Sequence, residues 1–353
     1  MTNPLKSLLI CTISTLFLSM TWVAQAEDPA PGGDASNDGA PMADTGSDPR
    51  ILPDLEQERL SALANSQLPD TETLWLETAH ESFLGLYKPA NRPVALGAVL
   101  LLHHDRTSAD WPGAITTLRR GLPDQGWHTL SLALPDEPEY IPPRIDDVVL
   151  NAVPDSDDNG EQTQASQENG TESDPTDANK DQLADHYEQI SARIEAGLNQ
   201  LLQQQPEVIL IVGQGSGAYW ALRYSVDQQQ QQPLIPVMLE AMEPVTPTEP
   251  NLSELVEKLQ RPTLDLYYSG LDQQASLMAA KQRRDSAKRH AVANYRSIRL
   301  PAKPGDWSQL DRRLLGLMRG QLPKLVVLAN QAKATQQADE SMEQTTKQRM
   351  PGS

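Results

Sequence analysis

The run Gly213-Gln214-Gly215-Ser216-Gly217 follows the apolar stretch Val208–Val212 and precedes a helix-forming segment. A buried strand turning sharply into a helix is the setting in which G-x-S-x-G raises a serine nucleophile above the edge of a parallel sheet. Aligned on Gly213 and Gly217, the central position here is Gly215. Glycine has a physical rationale there, because the elbow backbone has φ above zero and glycine takes that conformation without a Cβ penalty. Ser216 stands one place late. Its hydroxyl suits nucleophilic chemistry if an imidazole reaches it, or it caps the helix that begins at Gly217.

His103-His104-Asp105 ends a second apolar run, Ala98–Leu102. Alternation along a strand end sends the two rings to opposite faces, which disfavours a shared metal, and no second cluster lies at zinc-ligand spacing. Asp155, Asp157, Asn159 and Gly160 match the opening of a calcium loop, but Ser166 stands where the bidentate glutamate belongs. The reading therefore calls for no metal and no cofactor. Trp111, Trp127, Trp220 and Trp307 could line a pocket, although core packing is the default for such side chains.

The elements that must position these groups recur as strand and helix in alternation. Strands are expected at Leu74–Glu77, Phe83–Tyr87, Leu96–His103, Thr129–Leu134, Val208–Val212, Leu234–Leu239, Thr263–Tyr268 and Tyr295–Leu300. The first two are close enough for an antiparallel hairpin; the others are separated by helical stretches, as parallel strands require. Helices are expected near Trp111–Leu122, Asp181–Gln204, Gly217–Val226, Leu252–Leu259, Gln273–His290 and Trp307–Leu322. Leu52, Leu55, Leu60 and Leu63 add a short amphipathic helix ahead of them. The division is a signal peptide at 1–26, a disordered leader at 27–50, one α/β domain at 51–330 and a flexible tail at 331–353. An acidic, solvated insertion at 150–180 interrupts the domain: residues 155–177 hold eight carboxylates and no Lys or Arg.

Lys6, the apolar Leu8 to Met20 and Ala24-Gln25-Ala26 ahead of Glu27 compose an export signal cleaved after Ala26. A periplasmic, disulfide-free protein is expected, since the one cysteine, Cys11, lies within that signal. Losing one lysine and no acid takes the formal charge from −19 to −20, which argues against nucleic acid or anionic lipid as a partner. The expected species is a monomer, not inserted in a membrane after cleavage, with an unidentified periplasmic ligand or protein partner.

With hairpin, parallel strands and elbow in this order, the chain resembles the α/β-hydrolase superfamily over roughly residues 70–325. More narrowly it resembles a family of uncharacterised exported bacterial proteins, carried by Leu100-Leu101-Leu102-His103-His104-Asp105, Ala109-Asp110-Trp111-Pro112 and Leu118-Arg119-Arg120-Gly121-Leu122-Pro123. Gly126-Trp127, Thr129-Leu130-Ser131-Leu132 and Gly213 through Ala218 complete the match. The resemblance implies a three-layer sandwich around a mostly parallel eight-stranded sheet, and the short connection from Ala241 to Pro262, where such enzymes often insert lids, leaves no room for a large cap. It also implies an acid after the seventh strand, where Asp272 stands, either as that acid or as the N-cap of the next helix; Asp265, inside the strand, is the inferior candidate. The histidine implied after the last strand is missing, for none follows His290, which itself precedes that strand. His103 and His104 fall where the superfamily often places a histidine and oxyanion donors. The reading is a non-catalytic binding or interaction module; its alternative is a serine esterase, lipase-like enzyme or peptidase using Ser216, with Asp272 and His103 or His104.

Overall fold

Continuous apolar runs make the centre of the molecule. The structure, a computed structural model, describes residues 54–140, 175–231, 234–246, 250–269, 274–301 and 307–349. Strands β1 (Glu72–Glu77), β2 (Ser82–Lys88), β3 (Gly97–Leu102), β4 (Trp127–Leu132), β5 (Ile209–Gln214), β6 (Ile235–Leu239), β7 (Thr263–Ser269) and β8 (Tyr295–Pro301) form one sheet in the order β1-β2-β4-β3-β5-β6-β7-β8. β2 pairs antiparallel with both β1 and β4, while all other neighbours are parallel. Every residue of β3 and β6 is buried, as strands covered by helices on both faces require.

Helices α1 (Leu55–Asn65), α2 (Ala114–Gly121), α3 (Pro175–Leu202), α4 (Ser216–Asp227), α5 (Leu252–Glu257), α6 (Gln274–Arg289) and α7 (Trp307–Arg349) supply that cover. On one face Leu183, Ile190, Ile194, Leu198 and Leu201 of α3 pack on the sheet with Trp220 and Leu222 of α4. Their spacing keeps them on one stripe of the helix. On the other face Ile115 and Leu118 of α2 pack with Leu314, Met318, Leu322 and Leu325 of α7. This is an α/β-hydrolase-like fold. Among the described residues, the β6–β7 connection carries the six-residue α5 and no other helix.

Several boundaries differ from those read in the sequence. α2 starts at Ala114, not Trp111, because Pro112-Gly113 intervenes and Gly113 sits at φ 110° as N-cap. α3 starts at Pro175, inside the segment assigned to the acidic insertion; proline suits a first turn, where its missing N–H has no partner to lose. The tail expected to fray from 331 is helical to Arg349, rich in Ala, Gln, Glu and Lys and free of Gly and Pro until Pro351. The signal peptide, the leader, residues 141–174 with the calcium-like Asp155 loop, and Asp272 lie outside the described residues. No described helix is long and apolar enough to cross a membrane.

Candidate functional site

β5 delivers the chain to a tight turn at the C-terminal edge of the sheet. Gly215 sits there at φ 60°, ψ −124°, as N-cap of α4. The turn is fastened to the end of β6: Gly215 N–H donates to Leu239 O at 3.0 Å, and Met242 N–H donates to Gly215 O at 3.0 Å. The flanking glycines are needed for close approach. A Cβ on Gly213 would strike the Gly217 carbonyl, and one on Gly217 would strike the His103 carbonyl.

The decisive neighbour is His104, from the loop after β3. A Cβ added at Gly215 would lie 2.5 Å from His104 Nδ1 and 2.7 Å from its Cγ. The imidazole thus fills the space that a side chain at the elbow would occupy. Ser216 N–H donates to His104 Nδ1 at 3.1 Å, and Ser216 Oγ lies 3.1 Å from the same atom. A nitrogen that accepts from a backbone N–H carries no proton, so the neutral ring holds its hydrogen on Nε2. Ser216 Oγ also accepts Asp105 N–H at 3.0 Å and is only 2% exposed.

Ser216 is therefore not the helix cap expected from the sequence. Helix α4 begins at Ser216 itself, Gly215 is the N-cap, and no side chain caps it. The hydroxyl instead joins the elbow to the loop after β3.

His103 points the other way, as alternation at the strand end requires. Its Nδ1 donates to His104 O at 2.7 Å, and its Nε2 accepts Leu134 N–H at 2.9 Å. Burial pushes this imidazole down to about 4. Among the described residues no group of His, Cys, Asp and Glu is placed to hold a metal ion. Trp127 and Trp220 are core residues, 1% and 2% exposed, while Trp111 is 46% exposed, and none of the three lines the elbow cavity.

Three residues that sequence reasoning passed over, Glu137, Glu240 and Arg283, complete the site with Gln214 of the elbow run. Glu137, in the loop after β4, is 8% exposed; its N–H donates to Asp105 Oδ1 at 2.7 Å, and its Oε2 accepts Val245 N–H at 3.0 Å. Its Oε1 is buried without a partner at hydrogen-bond geometry, although the Ser216 hydroxyl is close enough to oppose the rise in pKa that burial imposes. Glu240 follows β6 directly, in the left-handed region at φ 48°, and burial raises its carboxyl. Gln214 and Glu240 both line a cavity of about 550 Å³ at the elbow, with His104, Gly215 and Arg283. Arg283, 2% exposed, grips Asp265 through Nε at 3.1 Å and Nη2 at 2.9 Å. That ion pair corrects the reading of Asp265 as a fallback catalytic acid, since its carboxylate is committed to Arg283 and to Tyr295 Oη at 2.6 Å. The usable signal for Glu240 was its place at the C-terminal end of a parallel strand, where α/β sheets bind ligands; Glu137 and Arg283 gave none.

The donors and side chains at this turn are thus engaged with one another. Acyl transfer at an elbow uses the N–H of the residue after the nucleophile and an N–H from the loop after β3 as oxyanion donors. Here Ser216 N–H is taken by His104, and Asp105 N–H by Ser216 Oγ. His290, at the end of α6, bonds Ser286 O at 3.1 Å and faces Glu257 at 3.4 Å, away from the residues that line the cavity.

The family described as "Protein of unknown function (DUF3530)" matches residues 6–324. No curated protein matches the chain. Among solved structures, it is similar to dienelactone hydrolase from Anabaena variabilis at 14% identity, covering 71% of this chain and 98% of that one, with a TM-score of 0.45. An alpha-beta serine hydrolase homologue from Coxiella burnetii matches at 12% identity over 72% of this chain and 100% of its own, with a TM-score of 0.43. Est1E from Butyrivibrio proteoclasticus matches at 10% identity over 71% and 99%, also at 0.43.

Proposed function

The chain belongs to the protein family of unknown function DUF3530, and from that premise we propose that it is an exported binding module in which the hydrolase elbow has become a structural joint beside a ligand cavity. One observation carries the reading: the His104 imidazole occupies the nucleophile's space over Gly215 and takes the Ser216 N–H that would bind an oxyanion. A substrate carbonyl would find neither a side chain at 215 to attack it nor that donor to stabilise the charge formed. The cavity remains, and its size suits a small ligand. The compartment is the periplasm, with the signal peptide removed after Ala26; mass spectrometry of the exported chain should give Glu27 as its N-terminus, and an intact Met1 would contradict export with cleavage.

The test is turnover of short acyl esters and labelling by a fluorophosphonate. Purified protein should hydrolyse them no faster than the His104→Ala variant, and should not take the label. The second reading, a serine hydrolase, rests on the 3.1 Å contact between Ser216 Oγ and His104 Nδ1, which is within reach for proton transfer. Labelling that disappears in Ser216→Ala, with ester turnover lost in the same variant, would establish it and sink the binding reading.

A further inference from the structure

The elbow cavity has a charge pattern that discriminates among ligands. Its walls combine apolar surface from Ala241, Met242, Leu252 and Ala279 with two carboxylates, Glu240 and Glu243. Among the described residues the lining holds one guanidinium, Arg283, and it is spent: both of its carboxylate-facing nitrogens hold Asp265, and Nη1 points to Ala241 O at 3.4 Å. Glu243 is partly engaged, accepting Leu252 N–H at 2.7 Å. Glu240 is different. Among the described residues its carboxylate has no hydrogen-bond or ionic partner, and its backbone is fixed at φ 48° by an N–H bond to Leu266 O at 2.8 Å. A half-buried carboxylate without a partner carries a desolvation cost that a ligand cation would offset.

The cavity also has a direction. Through Glu243, Ser253 and Gln282 it adjoins a more polar cleft lined by Asn251, Asp285 and Arg289. Asp285 pairs with Lys281 at 2.9 Å, and Arg289 lines the cleft only, not the elbow cavity. Among the described residues the elbow end thus has two acids and no uncompensated base. His104 is neutral there, with Nδ1 used and Nε2–H left as a donor for a neutral ligand oxygen.

We propose that this cavity takes an amphipathic ligand with a cationic, hydrogen-bond-donating head, the ammonium facing Glu240 and the hydrocarbon lying on Met242, Leu252 and Ala279, and that it rejects the corresponding carboxylate. The proposal rests on the binding reading above and adds the ligand's class. An anionic head would meet Glu240 and Glu243 with no available cation among the described residues, and like charges in a partly buried site repel strongly.

Calorimetric titration with octylamine, octanoate and octanol, at about pH 8 where the first is an ammonium and the second a carboxylate, separates the terms. Octylamine should bind at least about tenfold more tightly than octanoate, with octanol between them. Glu240→Gln should bring the amine and the alcohol within about twofold of each other while leaving octanol binding unchanged, which also shows that the variant keeps its cavity. Octanoate binding as well as octylamine, or an amine preference that survives Glu240→Gln, overturns the selectivity, and so does failure of all three to bind. Octanol binding without any amine preference overturns the selectivity alone and leaves the binding module standing. Ester turnover, measured separately, decides that reading on its own.

Discussion

At the scale of the residue, His104 and Gly215 are fitted to one another. The ring occupies the volume in front of the glycine, and the glycine's φ of 60° is free of strain only because no Cβ is present. Gly215→Ser therefore should not restore a nucleophile. It adds a side chain 2.5 Å from Nδ1 and a positive-φ penalty, which together cost about 2 to 3 kcal/mol. Thermal unfolding should fall by several degrees, and Gly215→Ser combined with His104→Ala should lose about 1 kcal/mol less than the two single losses added together. Strict additivity would show that ring and glycine do not compete for one space. The glycine and the lack of any histidine after β8 were legible in the sequence. The fit between positions 104 and 215 was not, because it depends on which way a loop side chain turns across a long sequence separation. The cap, one of two roles the sequence offers Ser216, fails for a related reason: with Gly215 at positive φ, the helix starts one residue early and the hydroxyl faces the loop after β3 instead of its own helix.

At the scale of the element, a buried polar knot fixes the end of the sheet that borders the cavity. Asp265 on β7, fully buried, accepts from Arg283 of α6 and Tyr295 of β8, tying three consecutive elements together. Removing one partner of such a pair strands a charge, whereas removing both does not. Arg283→Met should cost about 3 to 5 kcal/mol, and Asp265→Asn combined with Arg283→Met appreciably less than the sum of the two. Denaturant titration of the three variants measures this, and a fully additive cycle would show that the pair is not coupled. Elements were largely readable because short, continuous apolar runs such as Ala98–Leu102, bounded by turn signals and alternating with helical stretches, suit strands buried on both faces. Their ends were less so. Pro112-Gly113 delays α2 and Pro175 opens α3, and both are local effects that periodicity alone does not register. The knot itself gave no sequence signal, since a lone Asp inside a strand and a lone Arg in a basic helix are each unremarkable until packed together.

At the scale of the whole molecule, stability should depend on pH through its buried imidazoles. His103 accepts Leu134 N–H at Nε2, so a second ring proton would face a donor, and burial pushes the group down to about 4. His186, T-shaped against Trp220 with Nε2 buried and unpartnered, is also pushed down to about 4 by burial. Each has a folded pKa below its unfolded value of about 6.5. The unfolded chain therefore binds more protons between those values, and stability falls as pH falls through that window. The contribution is complete above about pH 6.5 and is lost toward pH 4, at most about 3 kcal/mol per imidazole. Two effects oppose it. Glu137 and Glu240 have carboxyls raised by burial, so they lose stability as pH rises through their folded values. The chain's formal charge of −19 also shrinks on acidification, relieving repulsion. Physiological salt screens that second effect but not the buried rings. In such salt, unfolding free energy should be level above about pH 7 and decline between pH 6.5 and 4. His186→Leu, which removes the unpartnered ring, should change stability at pH 7 by only about 1 kcal/mol while making the acid decline visibly shallower. A decline of unchanged steepness in that variant would show that His186 is not protonated on unfolding in this range.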